Sequence, residues 1–249
     1  MDAAEFYTGI VVDAYARLKS SSFDPAPYAA FVTATGEPAL ELGCGDGEPM
    51  LSLRQAGLDV EGVDSSADML DRCRANAATL GLQVTLHHQR MEDLKLPRQY
   101  RSIYLAGPTF TLLPDDETAV RALRAIRNHL TPDGQALIPL WIPDPTPPSD
   151  LGVQRKAVDD QGATLTYTPL SETYDRSLRT RTTTVRYERH TPDGTTESAD
   201  RDWIIHWQTQ PSAEALCYQA GLTITRTEDD HGNPAAPDAD EFTLIVQPS

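Results

Sequence analysis

The sequence predicts an α/β chain: a parallel sheet laid down in βαβ units, a helical start, and an antiparallel β block inserted late. Three observations predict it. Between residues 39 and 141, short apolar runs alternate with stretches of helical length, the pattern of strands joined by crossover helices. A glycine-rich turn, Gly43-Cys44-Gly45-Asp46-Gly47, follows the first such run and precedes a helical stretch. After Pro143, Pro145, Pro147 and Pro148 the apolar period shortens to two, as in strands with one buried face.

Each element has a local reason. Phe6, Ile10, Ala14 and Leu18 recur at spacing four and predict a helix over 2–19, with Tyr7 and Tyr15 two turns apart. Ser20-Ser21-Ser22 and Pro25 stop it, and a short helix follows over 27–33. Strands are expected at 39–42, 60–64, 83–88, 100–106 and 135–141. The helices between them are 48–56, ending at Gly57; 66–80, capped by Ser65 or Ser66 and closed by Gly81; and 115–130, opened by Asp115 or Asp116. Pro132-Asp133-Gly134 is the exit turn of the last of these.

In the insert, strands 154–158 and 163–168 flank one turn, and 181–190 and 195–207 flank Thr191-Pro192-Asp193-Gly194. A helix over 212–220, capped by Gly221, leads to strands 222–227 and 242–247. The expected organisation is a helical cap (1–35), a core (36–142), an insert (143–208) and a closing segment that completes the core (209–249).

Of 249 residues, 21 are Lys or Arg and 37 are Asp or Glu, a net charge of −16. Such a chain repels nucleic-acid backbones and anionic membranes, and no basic run overrides that field. The cysteines Cys44, Cys73 and Cys217 are sparse, and none forms a CxxC pair, so neither a disulfide framework nor a metal site is expected. The start, Met1-Asp2-Ala3-Ala4-Glu5, has no basic or apolar leader region, and no apolar stretch nears the ~20 residues of a membrane helix. The expectation is a cytoplasmic protein, monomer or homodimer, with a small-molecule partner.

The glycine turn and Asp64 belong together. Glycines at a strand-to-helix turn let a ligand approach the backbone. Asp64, 17 residues beyond Gly47, ends the second strand, where an acid can accept hydrogen bonds from vicinal ribose hydroxyls. Its other reading is a helix N-cap. The nicotinamide fingerprint GxGxxG needs a glycine at 48, where Glu48 stands, so an oxidoreductase is disfavoured. There is also no GxSxG or Walker-type GK[ST].

Residues 36–141 resemble the class I S-adenosylmethionine-dependent methyltransferases. Ala39-Leu40-Glu41-Leu42-Gly43-Cys44-Gly45-Asp46-Gly47 resembles that family's first motif, and Val60-Glu61-Gly62-Val63-Asp64-Ser65-Ser66-Ala67-Asp68-Met69-Leu70 its second. Leu130-Thr131-Pro132-Asp133-Gly134-Gln135-Ala136-Leu137 is similar to the element before strand five, and 215–222 to the last helix.

The resemblance implies a Rossmann-like sheet of order 3-2-1-4-5-7-6 with strand seven antiparallel. It implies S-adenosyl-L-methionine as cofactor and S-adenosyl-L-homocysteine as product. Gly43, Cys44 and Gly45 would lie by the methionyl part, Glu41 would reach its amino group, Asp64 would take the ribose, and Ser65 and Met69 would flank the adenine. Arg90 stands where the family often has an acid meeting the adenine amino group, so Met91 and Glu92 are the substitutes. Ala106 would face the sulfonium. The insert resembles that of small-molecule N- and O-methylating enzymes, including amino-sugar and natural-product enzymes, and with the first helix would roof the acceptor. The alternative is a non-catalytic member that binds the cofactor or a partner chain.

Methyl transfer requires alignment of acceptor, methyl and sulfur, exclusion of water and, where needed, removal of a proton. Tyr7 and Tyr15 could close over the site or pack as ordinary amphipathic residues. Thr109 and Phe110 follow strand four at the carboxyl edge of the sheet, where open α/β folds bind ligands; Phe110 could equally fill the core. Trp203 and Trp207 share a strand face and, with Trp141, suit an acceptor lid or a glue between insert and core. His206 is the candidate general base. His129, at a helix end, complements the dipole.

Overall fold

The computed structural model describes residues 3–18 and 23–249. The stop expected at Ser20–Ser22 lies outside them. A seven-stranded sheet joins β1 (Ala39–Leu42), β2 (Val60–Asp64), β3 (Leu86–His88), β4 (Tyr100–Leu105), β5 (Leu130–Trp141), β10 (Leu222–Glu228) and β11 (Glu241–Pro248). Their order is β3-β2-β1-β4-β5-β11-β10, and β11 runs antiparallel to both neighbours. This is the order and strand polarity that the resemblance implied.

Helices cover both faces of the sheet, so β1 is buried at every position, as parallel strands in such folds are. Alternation sends Leu40, Leu42, Ile103 and Ile138 to one side, against α6 (Asp116–His129) and α7 (Gln210–Ala220). Ala39, Tyr104 and Leu137 go to the other side. They meet α3 (Ala26–Thr35), α4 (Met50–Gln55) and α5 (Ala67–Thr79) through residues such as Phe31, Met50 and Leu70.

The insert is a four-stranded antiparallel sheet, β6 (Arg155–Val158), β7 (Thr164–Asp175), β8 (Thr180–His190) and β9 (Thr196–His206), in that spatial order. One face of it packs on the N-terminal helices: Leu165, Val185 and Tyr187 meet Phe6, Ile10, Val11 and Ala14. Its far end is tied to the start of α6. Arg179 and Gln208 both reach the Asp116 carboxylate, at 2.5 and 2.9 Å, and Arg179 also bonds Gln208.

Several expectations need correction. The helix expected over 2–19 is two, α1 (Ala3–Phe6) and α2 (Ile10–Leu18). The break falls at Gly9, whose φ of +55° is left-handed and whose N–H is held by Asp68 at 2.8 Å. Strand three is shorter than 83–88, and β7 extends seven residues past 168. The turn at 132–134 is a bulge inside β5: pairing with β4 jumps from Leu130 to Gln135. Among the described residues, no helix is long and apolar enough to cross a membrane.

Ser66 joins the cap to the core. Its hydroxyl caps α5 by accepting Met69 N–H at 3.1 Å and donates to the Tyr7 carbonyl at 2.5 Å. Ser66→Ala removes the cap and the tie together. Urea denaturation is expected to show a stability loss of about 1–2 kcal/mol.

Candidate active site

The site is built where β1 and β2 end. Gly43 and Cys44 both donate to the Val63 carbonyl, at 2.8 and 3.0 Å, which turns the chain sharply out of β1. Gly43 and Gly45 have φ of +72° and +51°, a region costly for residues with a Cβ. At Gly43 the lack of a side chain also admits Thr109, whose methyl lies 2.4 Å from where a Cβ would stand. Thr109 is held in turn by a 2.8 Å bond from its hydroxyl to the Ala106 carbonyl.

Asp64 crosses from β2 to this loop. One carboxylate oxygen accepts Gly45 N–H and the other Ser66 N–H, each at 2.8 Å. Ser66 is the N-cap of α5, so the capping alternative for Asp64 falls away. Burial raises the Asp64 pKa, against the pull of these backbone donors.

Glu41, inside the sheet, has no exposed surface. Its Oε2 accepts the Tyr104 hydroxyl at 2.7 Å, while its Oε1 is buried with no hydrogen-bond partner. Burial pushes its pKa well above the usual carboxylate range, only partly countered by Tyr104. A buried acceptor with no donor costs free energy unless a ligand supplies one.

In front of the glycine loop and Asp64 lies a cavity of about 380 Å³, with Glu41 buried behind its lining rather than on it. It brings together Gly43, Gly45, Asp64, Ser65, Met69, Met91, Glu92, Thr109, Tyr7 and Tyr15 among the expected residues. Sequence reasoning missed Leu112, Leu113, Pro114, Thr118, Arg121 and Ile204 on its wall. The apolar run 112–114 just after strand four was the available signal; Ile204 arrives only through the tertiary fold. Arg90 lines the wall 3.8 Å from the Glu92 carboxylate. The loop carrying Met91 and Glu92 is pinned by His129, whose Nε2 accepts Leu96 N–H at 3.1 Å while its Nδ1 bonds the Ala125 carbonyl. These bonds require the neutral ring, a different role from the dipole partner expected.

Tyr7 and Tyr15 meet edge to face at 5.7 Å, and the Trp203 indole nitrogen is buried without a hydrogen-bond partner. Burial raises the Tyr15 pKa far above that of a free phenol, and the charges of Asp46, Glu48, Asp64 and Glu41 add to it. Tyr15 therefore stays protonated.

Other expected residues do not reach the cavity. Cys44 points into the core with Cys73. Ala106 and Phe110 are core residues at 4% exposure. Trp207 is buried and stacked on Tyr174 at 4.9 Å. Trp141 and Trp203 flank Arg181 at 5.0 and 5.5 Å. His206 is a correction: it is buried beside Asp116, 3.6 Å away, and Gln208. Burial and Arg179 lower its pKa, so it is a neutral brace between insert and α6 rather than a base at the cavity.

A methyltransferase domain model matches residues 39–134, the stretch that carries the glycine turn, Glu41 and Asp64. Residues 39–134 are thus similar to a methyltransferase domain, and the fold resembles that of class I S-adenosylmethionine-dependent methyltransferases. The chain is 25% identical over 258 residues to the cypemycin N-terminal methyltransferase of a Streptomyces species, covering 99% of each chain. It is 30% identical over 106 residues to the dTDP-3-amino-3,6-dideoxy-alpha-D-glucopyranose N,N-dimethyltransferase of Streptomyces fradiae, covering 42% of this chain and 40% of that one. Its fold resembles the CcbJ methyltransferase of Streptomyces caelestis, with a TM-score of 0.76, 19% identity and 98% of both chains covered.

S-adenosyl-L-methionine is the cofactor that the resemblance implies, and the residues present fit it. The unpartnered Oε1 of Glu41 suits an ammonium group, the loop at Gly43 and Gly45 leaves room for a ligand against the backbone, and Asp64 keeps lone pairs for ribose hydroxyls. When bound, this cofactor supplies an electrophilic methyl on a sulfonium.

Two measurements follow. Asp64→Ala is expected to weaken S-adenosylhomocysteine binding by about 1.5–3 kcal/mol in calorimetric titration, the scale of hydrogen bonds to a charged group. Glu41, protonated below its raised pKa in the free protein, must ionise to hold an ammonium. Binding then releases a proton, and affinity climbs as pH rises from the ordinary carboxylate range toward the Glu41 pKa. Glu41→Gln should abolish that slope, read as buffer-dependent calorimetric heats.

Proposed function

We propose that this methyltransferase methylates an amine nitrogen of a small-molecule acceptor, a sugar amine or a peptide amine among the candidates. One observation carries the choice of nitrogen: the Tyr15 hydroxyl, on the cavity wall, lies in the field of the Asp46, Glu48 and Asp64 carboxylates. Methyl transfer moves positive charge from sulfur onto the acceptor atom, and a negative field stabilises that charge. An amine that enters neutral needs no base before attack. A hydroxyl does, and the phenols at hand hold their protons while His206 is turned away. The names of the two relatives, an N-terminal methyltransferase and an N,N-dimethyltransferase, support the same reading and support turnover rather than binding alone.

In this reading the chain acts by position. The backbone loop, Glu41 and Asp64 orient the cofactor. The segments 1–35 and 143–208 form the acceptor-side lid on the core 36–142 and 209–249, with Tyr7 and Trp203 on the lid and Trp141 on the core. The Tyr15 hydroxyl oxygen accepts a hydrogen bond from the acceptor N–H, which leaves the nitrogen lone pair free and in line. Three buried, unbridged thiols suit a reducing, cytoplasmic setting. The acidic chain suits a small acceptor over nucleic acid, and a monomer or homodimer is consistent with the half-buried Trp203 on the lid.

The test is a screen with S-adenosylmethionine against paired amines and alcohols of matched skeleton, read by mass spectrometry. Methylated amines are expected, and methylation confined to alcohols would overturn the choice of nitrogen. Tyr15→Phe should lower kcat/KM for the amine about tenfold, the scale of one neutral hydrogen bond, with S-adenosylhomocysteine affinity unchanged.

A further inference from the structure

Thr109 stands where two turns of the chain meet. Leu42 of β1 pairs with Leu105 of β4, so the chains leaving both strands start side by side. After β4 the chain enters a short 3-10 turn, Thr109–Leu112, with Thr109 N–H on the Gly107 carbonyl at 2.9 Å. That turn sets the Thr109 methyl against Gly43 of the glycine loop. Thr109 is half-buried and lies on the cavity wall.

Its hydroxyl oxygen is an acceptor with nothing to accept. A threonine hydroxyl has one proton and two lone pairs. The proton is committed to the Ala106 carbonyl at 2.8 Å, and among the described residues no donor reaches the oxygen. The methyl on Gly43 and the bond to Ala106 together fix the rotamer. Thr111, two residues on, makes the same kind of bond to the Pro108 carbonyl at 2.6 Å, but it is buried in the core. Of the two, Thr109 alone meets the cavity. Beside it the wall is formed by Leu112 of the same turn and Ile204 of β9, whose side chains take no hydrogen bond.

Tyr15 faces the same glycine loop. Its hydroxyl lies in the field of Asp46 and Glu48, which follow Gly43 and Gly45 in that loop, and it lines the same cavity as Thr109. The cavity is therefore bordered near Gly43 by two hydroxyl oxygens, one from the cap and one from the core.

We propose that Thr109 Oγ1 accepts one N–H of the acceptor nitrogen while Tyr15 accepts another, so that the site selects its acceptor by the number of N–H groups. The inference rests on the nitrogen reading above and deepens it. A primary amine gives one N–H to each oxygen and keeps its lone pair in line. That lone pair forms the new C–N bond as the C–S bond breaks, the electron pair of the broken bond stays on sulfur, and the alkylammonium product gives one proton to water. The N-methyl amine keeps one N–H and satisfies one oxygen. A tertiary amine has none and sets carbon against both, and a site built to hold an N–H rejects an analogue that lacks it. Primary amines thus react fastest, secondary amines more slowly, and tertiary amines not at all.

The experiment takes the amine that the paired screen identifies, with its N-methyl and N,N-dimethyl derivatives, and reads initial rates by mass spectrometry. Wild type, Thr109→Val and Thr109→Ser are compared, and S-adenosylhomocysteine affinity is measured for each by calorimetry. Valine keeps the methyl on Gly43 and removes only the oxygen. Thr109→Val is expected to lower kcat/KM for the primary amine about tenfold, the scale of one neutral hydrogen bond. The loss for the N-methyl amine is expected to be smaller, because its single N–H can still go to Tyr15. The ratio of the two amines cancels their intrinsic difference in nucleophilicity, and a merely structural role would not move it. Thr109→Ser should keep the wild-type ratio, and cofactor-product affinity should be unchanged throughout. Should Thr109→Val fail to fold, Thr109→Ala against Thr109→Ser makes the same comparison, since both lack the methyl and differ by the oxygen. Equal losses for both amines, no loss in the variant without the oxygen, or a quaternary product from the wild type would overturn the role of Thr109. Methylation of alcohols alone in the preceding screen would instead strike the nitrogen reading on which it rests.

Discussion

The carboxylate of Asp64 is the joint on which the site depends. It ends β2, holds the N–H of Gly45 from the loop after β1, and holds the N–H of Ser66 at the start of α5. Ser66 then caps that helix and grips the Tyr7 carbonyl of the N-terminal segment. One buried charge therefore sets the glycine loop, the helix and the cap in mutual register. Removing the charge from water is costly, as its raised pKa shows, and the two backbone donors offset that cost only in part.

Electrostatics divides the molecule into two territories. Around the cofactor loop, Glu41, Asp46, Glu48 and Asp64 crowd together, and the Tyr15 phenol is held protonated among them. Such a region is poorly satisfied alone, most visibly at the orphaned Oε1 of Glu41, and is suited to a cationic ligand. On the inner face of the insert the sign reverses at Arg155 and Arg181.

The insert is held at two ends by different means. At one end, apolar residues of β7 and β8 bury the N-terminal helices. At the other, a polar knot of Asp116, Arg179, Gln208 and His206 ties β9 to α6. The apolar contact is non-directional and tolerates small shifts, whereas the polar knot fixes direction. Between the two lie Trp203 and Ile204, one facing Arg181 and the other the cavity.

The sequence by itself determined the fold class, the strand order through its resemblance, and the cofactor loop with Asp64. These are local: a glycine turn after a short apolar strand, and an acid at the end of the next, sit within 26 residues and need no distant partner to be legible. Glu41, Met69 and the 91–92 segment were legible for the same reason. Only the tertiary structure decided the acceptor side. The role of His206 depends on Asp116, 90 residues earlier in the chain, and Arg181 meets tryptophans from two separate strands. Antiparallel alternation shows which residues share a face but not what that face meets. Contacts between elements far apart in sequence leave no periodic trace, so the lid's charges and the cavity's Ile204 became visible only once the insert was placed against the core.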